Sequence, residues 1–348
     1  MMIPHSRPTL DETDHDNVLQ VMRSGHLVQG DQVARFEADL ASLISVNGGI
    51  AVSSGTAALH LSLVAMGIHA DDEVIVPSYV CPALLNAIHY AGAKPVITDV
   101  DEHTFNMDPL DVERRINSAT KAIIVPHLFG LPANIKDIIS FGIPIIEDCA
   151  QSLGSRYHGA YTGSFGDLSV FSFYATKMIS TGEGGMILSN NETLLETISD
   201  LRDYDEKEIY RVRYNYKMTD MQAALGISQL KKLPSFIKKR NRIADIFNRE
   251  FRNFLFTTPR TPEDRDHIHY RYVILLDHAD RFIERMNEAG VACRKPVFKP
   301  LHRYLGLSGY EATSRTWDGA VSIPIYPSLT DTEITKIVEA AKTSVIRN

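Results

Sequence analysis

Lys177 stands shortly after an apolar run, Leu168-Ser169-Val170-Phe171-Ser172-Phe173, and just ahead of a glycine-rich turn, Ser180-Thr181-Gly182-Glu183-Gly184-Gly185. A lysine carried at the end of a buried strand can serve as an activated amine, because burial lowers an ammonium pKa and frees the nucleophilic lone pair. Most lysines are simply solvated, so the neighbours decide the matter. Glu147-Asp148 closes a second aliphatic run, Pro144-Ile145-Ile146. A carboxylate delivered there binds a cation, fixes a protonated heterocycle, or merely caps a helix. Ser53-Ser54-Gly55-Thr56 separates a third run from an alanine-rich helical stretch. Its small residues and the free N–H groups of a helix start suit an anion, typically phosphate, while a plain N-cap by Ser54 or Thr56 explains the same letters.

Other chemistries are absent from the pattern. The glycine cluster does not open a helix as GxGxxG requires, and GxxxxGK[ST], HExxH and GxSxG do not occur. The 13 histidines show no metal spacing, so no metal is expected. His60 lies on an apolar helix and reads as a packed core histidine, and His127 follows a strand. Lys231, Lys232, Lys238, Lys239, Arg240 and Arg242 form a basic run. It reads as a solvated helix face, with attraction of a diphosphate as its functional alternative.

These residues need a scaffold that brings strand ends together. From residue 50 short apolar runs alternate with helical patterns: Ile50–Ser53, Glu73–Pro77, Lys94–Thr98, Lys121–Pro126, Pro144–Asp148, Leu168–Phe173 and Gly185–Ser189. The runs lack clean alternation, so they read as strands buried on both faces. Helices between them predict a three-layer α/β/α fold with a mostly parallel sheet. In such a sheet ligands collect beyond the carboxyl ends of the strands, where the polar signals above fall. A helix is expected over Met221–Leu230, a second long one opening at Pro234, then a strand at Tyr270–Leu276, a helix from His278 and a last helix after Thr330. The expected division is a large domain over 1–240, including the N-terminal segment and connecting helix, and a smaller C-terminal α+β domain over 241–348.

The composition agrees. At about 150 residues per domain, 348 residues make roughly two domains. Apolar residues are 44% and charged residues 23%, which excludes a disordered chain. The net charge of −7 and a pI near 6.0 argue against nucleic acid and anionic membranes as partners. Cys81, Cys149 and Cys293 are far apart and odd in number, which suits a reducing compartment. Met1 to Arg7 lacks the apolar core of a signal peptide, and no run reaches bilayer length, so a cytoplasmic protein is expected.

Taken together, a reactive lysine, an acid for a ring nitrogen and a phosphate cradle are the demands of pyridoxal phosphate. The chain here resembles the DegT/DnrJ/StrS group of nucleotide-sugar aminotransferases, which share the fold of the aspartate aminotransferase class. The resemblance runs through Ile3-Pro4, Arg7-Pro8, Gly30, Phe36-Glu37, Ser53 to Leu59, Asp72 to Ser78, Glu147 to Gln151, Phe171 to Lys177, Thr181 to Gly185 and Tyr214 to Met218. It implies that Lys177 forms a Schiff base with pyridoxal phosphate and moves the substrate proton. By the same resemblance Asp148 keeps the pyridinium nitrogen protonated, and Gln151 lies near the phenolic oxygen. Gly55, Thr56 and Ser172 bind the phosphate, and Tyr79 stacks on the ring. Asn215 reaches the phosphate from a neighbouring subunit, which makes the active sites shared within a homodimer. Lys217 replaces an arginine that is usual in the family and lacks its bidentate fork. The implied reaction is transamination of a keto-deoxysugar nucleotide with L-glutamate as donor, through pyridoxamine phosphate. A non-catalytic regulatory relative binding the cofactor or sugar is one alternative. The other is a pyridoxamine phosphate-dependent sugar dehydratase, in which histidine replaces the lysine.

Overall fold

The computed structural model describes residues 2–254, 256–258 and 261–345. Helices α1 (Glu12–Ser24) and α2 (Asp31–Ile44) lead into β1 (Gly48–Val52), α3 (Gly55–Ala65), β2 (Glu73–Pro77), α4 (Ala83–Tyr90) and β3 (Lys94–Thr98). There follow α5 (Pro109–Arg115), β4 (Thr120–Pro126), α6 (Ile135–Ile139), β5 (Ile145–Asp148) and a tiny hairpin, β6 (Arg156–Tyr157) with β7 (Ala160–Tyr161). Strands β8 (Leu168–Ser172) and β9 (Gly185–Ser189) complete the main sheet. Its seven strands run in the order β1-β9-β8-β5-β4-β2-β3. All neighbours are parallel except β9, which is antiparallel to both β1 and β8. The mostly parallel, three-layer reading therefore holds.

The reason is burial on two sides. Val74, Ile75 and Val76, and likewise Ile123, Ile124 and Val125, are fully buried although alternate residues face opposite ways. Helix α3 is buried continuously from Ala57 to Leu63, as a helix apolar all round must be. His60 sits within it against the rings of Tyr90, Tyr214 and Tyr216, the packed histidine that its apolar surroundings imply. The exposed edge at β1 is blunted. Glu37 accepts from the Ala51 N–H at 2.7 Å, and Arg202 donates to both Glu37 and the Ala51 carbonyl.

After α7 (Glu192–Leu201) the sequence and the structure part at Pro234. One helix, α8 (Asp220–Phe251), runs through it for 32 residues, about 48 Å at 1.5 Å per residue. Proline removes one N–H from the ladder, but Leu233 and Phe236 are buried on either side of it and hold the helix continuous. A Thr219–Gln222 capping box starts it. The basic run is not a uniform solvated face either. Lys232 pairs with Asp14 at 2.8 Å and Arg242 with Asp331 at 2.8 Å. Arg240 is buried and donates to the carbonyls of His269, Tyr270 and Ile325. Groups so engaged are not available to a diphosphate.

The last part comprises β10 (Tyr272–Leu275), α9 (Ala279–Glu288), α10 (Leu301–Tyr304), α11 (Glu311–Gly319), β11 (Ala320–Ile323) and α12 (Asp331–Ser344). Strands β10 and β11 pair antiparallel. A second apolar core forms here around Phe247, Phe251, Tyr272, Phe282 and Ile337. Ile3, grouped by sequence with the large domain, belongs to this core: it donates to the Gly290 carbonyl and accepts from the Ala292 N–H, beside Val291. Ile268 and Tyr270, beyond residue 240, instead pack in a core with Phe36 and Phe173. The chain thus crosses between lobes more than once. Among the described residues no helix is long and apolar enough to cross a membrane.

Arg240 is a buried charge that pairs with no carboxylate among the described residues; burial lowers its pKa to about 10, so it remains protonated at neutral pH. Arg240→Met should orphan three carbonyls and destabilise by about 2–4 kcal/mol, read from urea unfolding.

Candidate active site

Strands β1, β5 and β8 all end on one edge of the sheet, because β1 and β8 are both antiparallel to β9 and β5 is parallel to β8. Gly55-Thr56, Asp148 and Ser172 therefore meet there. At the start of α3, Ser54 Oγ accepts from the Ala57 N–H at 3.1 Å, and the Ser54 carbonyl accepts from Ala58. The cap is real, and it leaves the N–H groups of Gly55 and Thr56 outside the helix's own bonding. The two readings of this tetrapeptide are thus compatible: a self-capped helix start that still presents donors to an anion. A side chain on Gly55 would approach Ser172 Cβ to 2.9 Å, so glycine brings the α3 backbone directly against the Ser172 hydroxyl. The glycine turn has a packing role here, since a side chain on Gly185 would meet the Ser54 carbonyl at 2.4 Å.

Glu147 and Asp148 point to opposite sides of β5, and their surroundings differ accordingly. Glu147 is completely buried and accepts four bonds: from His127 Nε2 at 2.9 Å and from the N–H groups of Gly163, Phe165 and Gly166 at 2.7–2.8 Å. His127 Nδ1 in turn accepts from the Ala133 N–H at 2.9 Å, which leaves Nε2 to donate to Glu147. Burial pushes the Glu147 carboxyl up, but His127 and the Gly163 and Gly166 amides more than offset this and hold it below its usual 4.5. Cys149 lies close enough to complete an N, O, S group within 4.8 Å. Its oxygens and nitrogens already carry hydrogen bonds, from three backbone amides, from Ala133 and between His127 and Glu147, which a metal would have to displace.

Asp148 is the opposite case. Among the described residues its carboxylate has one hydrogen bond, from the Ala150 N–H at 3.0 Å, and burial raises its pKa although Ala150, Lys177 and His127 pull it down. A buried carboxylate with so few partners fits a ligand that brings a protonated nitrogen. Gln151 accepts from the Phe129 N–H at 3.0 Å through Oε1, which reserves its amide N–H groups as donors. Lys177 sits on the turn after β8, held by its N–H to the Tyr174 carbonyl at 2.8 Å, with Nζ 5.4 Å from the centre of the Tyr270 ring. An amine, an acid, a donor and an anion cradle at one strand edge fit the demands of pyridoxal phosphate.

Tyr79 does not join them. It is fully buried, its ring centre 6.2 Å from those of both Phe105 and Phe129, and has no face open to stack on a ligand. The cause is the tie of the preceding residue: Ser78 bonds Thr98, Leu301 and His302, which turns Tyr79 inward and leaves Cys81 as an exposed side chain of this loop. Asn215 is exposed, on a segment laid across the end of β1 through Val52–Lys217 and Ser53–Tyr216 pairing. Lys217 is spent on Asp203 at 2.7 Å and Asp205 at 3.0 Å. Tyr270, read from sequence only as the start of a strand, adjoins Lys177, and the Arg271 guanidinium lies 5.1 Å from the centre of the same ring. Burial pushes the Tyr270 phenol up, but Lys177, Arg271, Thr176 and Arg240 together bring it down to about 8. An arginine inside an aromatic and aliphatic run was the signal that could have found the pair.

This fold and this set of groups define a pyridoxal phosphate-dependent transferase. The sequence profile of the DegT/DnrJ/EryC1/StrS aminotransferase family matches residues 8–342, and the chain belongs to that family. It is 35% identical over 355 residues to a GDP-perosamine synthase of Escherichia coli O157:H7, covering 97% of each chain. It superposes with a TM-score of 0.95 on the aminotransferase TlmJ from Streptoalloteichus hindustanus, at 28% identity and covering 99% of this chain and 98% of that one. Spr1654 from Streptococcus pneumoniae in its PMP form gives 0.93 at 27% identity, covering 99% and 98%. The protein is an aminotransferase that uses pyridoxal phosphate.

Two outcomes follow from the geometry. Gly55→Ala should weaken pyridoxal phosphate binding about tenfold, measured by titration of the cofactor's visible absorbance. Glu147→Gln should destabilise the protein at pH 7. Because the native carboxyl titrates below 4.5, its contribution is complete above that pH and is lost as pH falls through the depressed value. The gap in unfolding midpoint between wild type and variant should therefore close only below pH 4.5.

Proposed function

We propose that the protein transfers an amino group from L-glutamate to the keto carbon of a nucleotide-linked deoxysugar. The observation that carries the reading is Lys177 beside Asp148 at one strand edge, in a chain similar over nearly its whole length to GDP-perosamine synthases and to a solved structure described as a sugar aminotransferase. Bound pyridoxal phosphate supplies an electron-accepting ring that stabilises negative charge at the substrate carbon. Asp148 holds the ring nitrogen protonated, and Gln151 donates toward the phenolic oxygen. The N–H groups of Gly55 and Thr56, with the Ser172 hydroxyl, hold the phosphate. Lys177 Nζ would take the proton from the donor's α-carbon and pass it to the cofactor rather than back to that carbon, and in the second half-reaction it would carry a proton the other way, to the sugar carbon. Lysine at this position also opposes the dehydratase reading, which requires histidine there.

The same reading makes the working unit a homodimer, with Asn215 of one subunit completing the phosphate site of the other. Exposed Asn215 supports it, as do the neighbouring apolar side chains Ile209, Tyr210 and Val212, which are 64–92% exposed in the single chain.

The test is the visible spectrum of the cofactor-loaded protein. L-Glutamate should convert the pyridoxal phosphate band to that of pyridoxamine phosphate, and a nucleotide keto-sugar should restore it with formation of an amino sugar detected by mass spectrometry. Lys177→Ala should abolish both changes. A band that no amino acid moves would overturn the transamination, and donor turnover without any sugar acceptor would overturn the substrate class.

A further inference from the structure

Against the ring that Lys177 approaches lies a second cation, Arg271, which pairs with no carboxylate among the described residues. The other arginines at comparable depth are bonded to protein acceptors: Arg202 to Glu37, Arg115 to Asp111, Arg213 to Asp200, Arg265 to Asp264, Arg240 to three carbonyls and Arg285 to the Ser344 carbonyl. Arg271 is half-buried, and its only side-chain partner among the described residues is the His5 ring, 3.2 Å from Nη1. Its guanidinium lies 5.1 Å from the centre of the Tyr270 ring, the same ring that Lys177 Nζ approaches to 5.4 Å. His5 adds no charge of its own: burial, then Arg271 and Arg294, drive its pKa down to about 2, so it is neutral. It accepts from Arg271 and bonds Ser322 Oγ at 2.8 Å. His5, Ser6, Thr176, Tyr270, Arg271 and Ser322 line one cavity where the two lobes and the N-terminal segment meet.

A half-buried guanidinium without an acid is costly unless a ligand brings the negative charge, and its planar fork matches a carboxylate. We propose that Arg271, oriented by His5, binds a carboxylate of the amino-acid donor beside Lys177. This rests on the transamination reading above and adds the group that selects the donor. Both groups lie against the Tyr270 ring, at 5.4 and 5.1 Å from its centre, so they are no more than about 10.5 Å apart, a span that an amino acid with a second carboxylate can cover. The rival source of the same charge is the diphosphate of the sugar nucleotide, and the two sources separate in a binding experiment that needs no turnover.

Cofactor-loaded protein is titrated by calorimetry with maleate, an unreactive dicarboxylate, and separately with GDP and UDP. Arg271→Gln should weaken maleate binding at least tenfold and leave nucleotide binding unchanged, and Arg271→Lys should recover part of the loss. An unaltered cofactor band and melting temperature would confirm that each variant is folded and loaded. Where Arg271→Gln fails that check, Arg271→Lys against wild type carries the comparison, with a smaller weakening expected for maleate alone. Maleate binding unchanged by substitution, or a loss confined to the nucleotides, would overturn the assignment. A wild-type protein that binds maleate through Arg271 yet aminates no sugar would sink the sugar reading and leave this one standing.

Discussion

The carboxyl end of β5 imposes the constraint from which the site is built. Two adjacent acids leave a strand on opposite sides, and the chain must satisfy one completely so that the other can stay needy. Glu147 takes every bond on its side, and in doing so it fixes the His127 ring and the turn from Gly163 to Gly166. With that side locked, Asp148 has a set direction and a set backbone, since its carbonyl accepts from the His127 N–H. Its poverty of partners is what a cofactor exploits. A charge left short of hydrogen bonds in the native chain is a binding energy held in reserve.

The second organising feature is α8, which carries side chains of both lobes on one continuous helix. Gly226 lets the helix pass the Phe36 ring, and farther along Phe247 and Phe251 build the second core. Arg240 lies between these regions and gathers carbonyls from His269 and Tyr270, on the segment leading into β10, and from Ile325. One buried cation therefore fixes the backbone around the residue that adjoins Lys177. Stability and site geometry are here the same set of bonds.

Much of this was legible in the sequence because burial on two faces leaves a strong mark. The aliphatic runs located all seven strands of the sheet, and the polar residues that follow them located Lys177, Asp148 and the Gly55 turn. What was not legible depended on direction rather than type. Tyr79 has the residue type of a stacking ring, but the bonds of Ser78 to distant Thr98 and His302 turn it inward. Pro234 has the type of a helix start, but long-range packing of Leu233 and Phe236 overrode it. Glu147 and His127 each looked like chemistry when read singly, and only their mutual distance shows them to be structural. Arg271 was hidden for the converse reason: its surroundings spell a strand, and its lack of an acid is a property of three dimensions.

The N-terminal crossing has a mechanical consequence. Ile3 is bonded into the second lobe, while α1, a few residues later, is clamped to α8 through Asp14, Gln229 and Lys232. The lobes are thus tied by the α8 rod, by this short strap, and by the stretch that returns Ile268 to the first lobe before β10. A body held to another at several separated points has few rotational freedoms left, so the walls of the cleft are set before any ligand arrives. Two substrates that take turns in such a cleft each meet it as found, and little ordering entropy is lost at either visit.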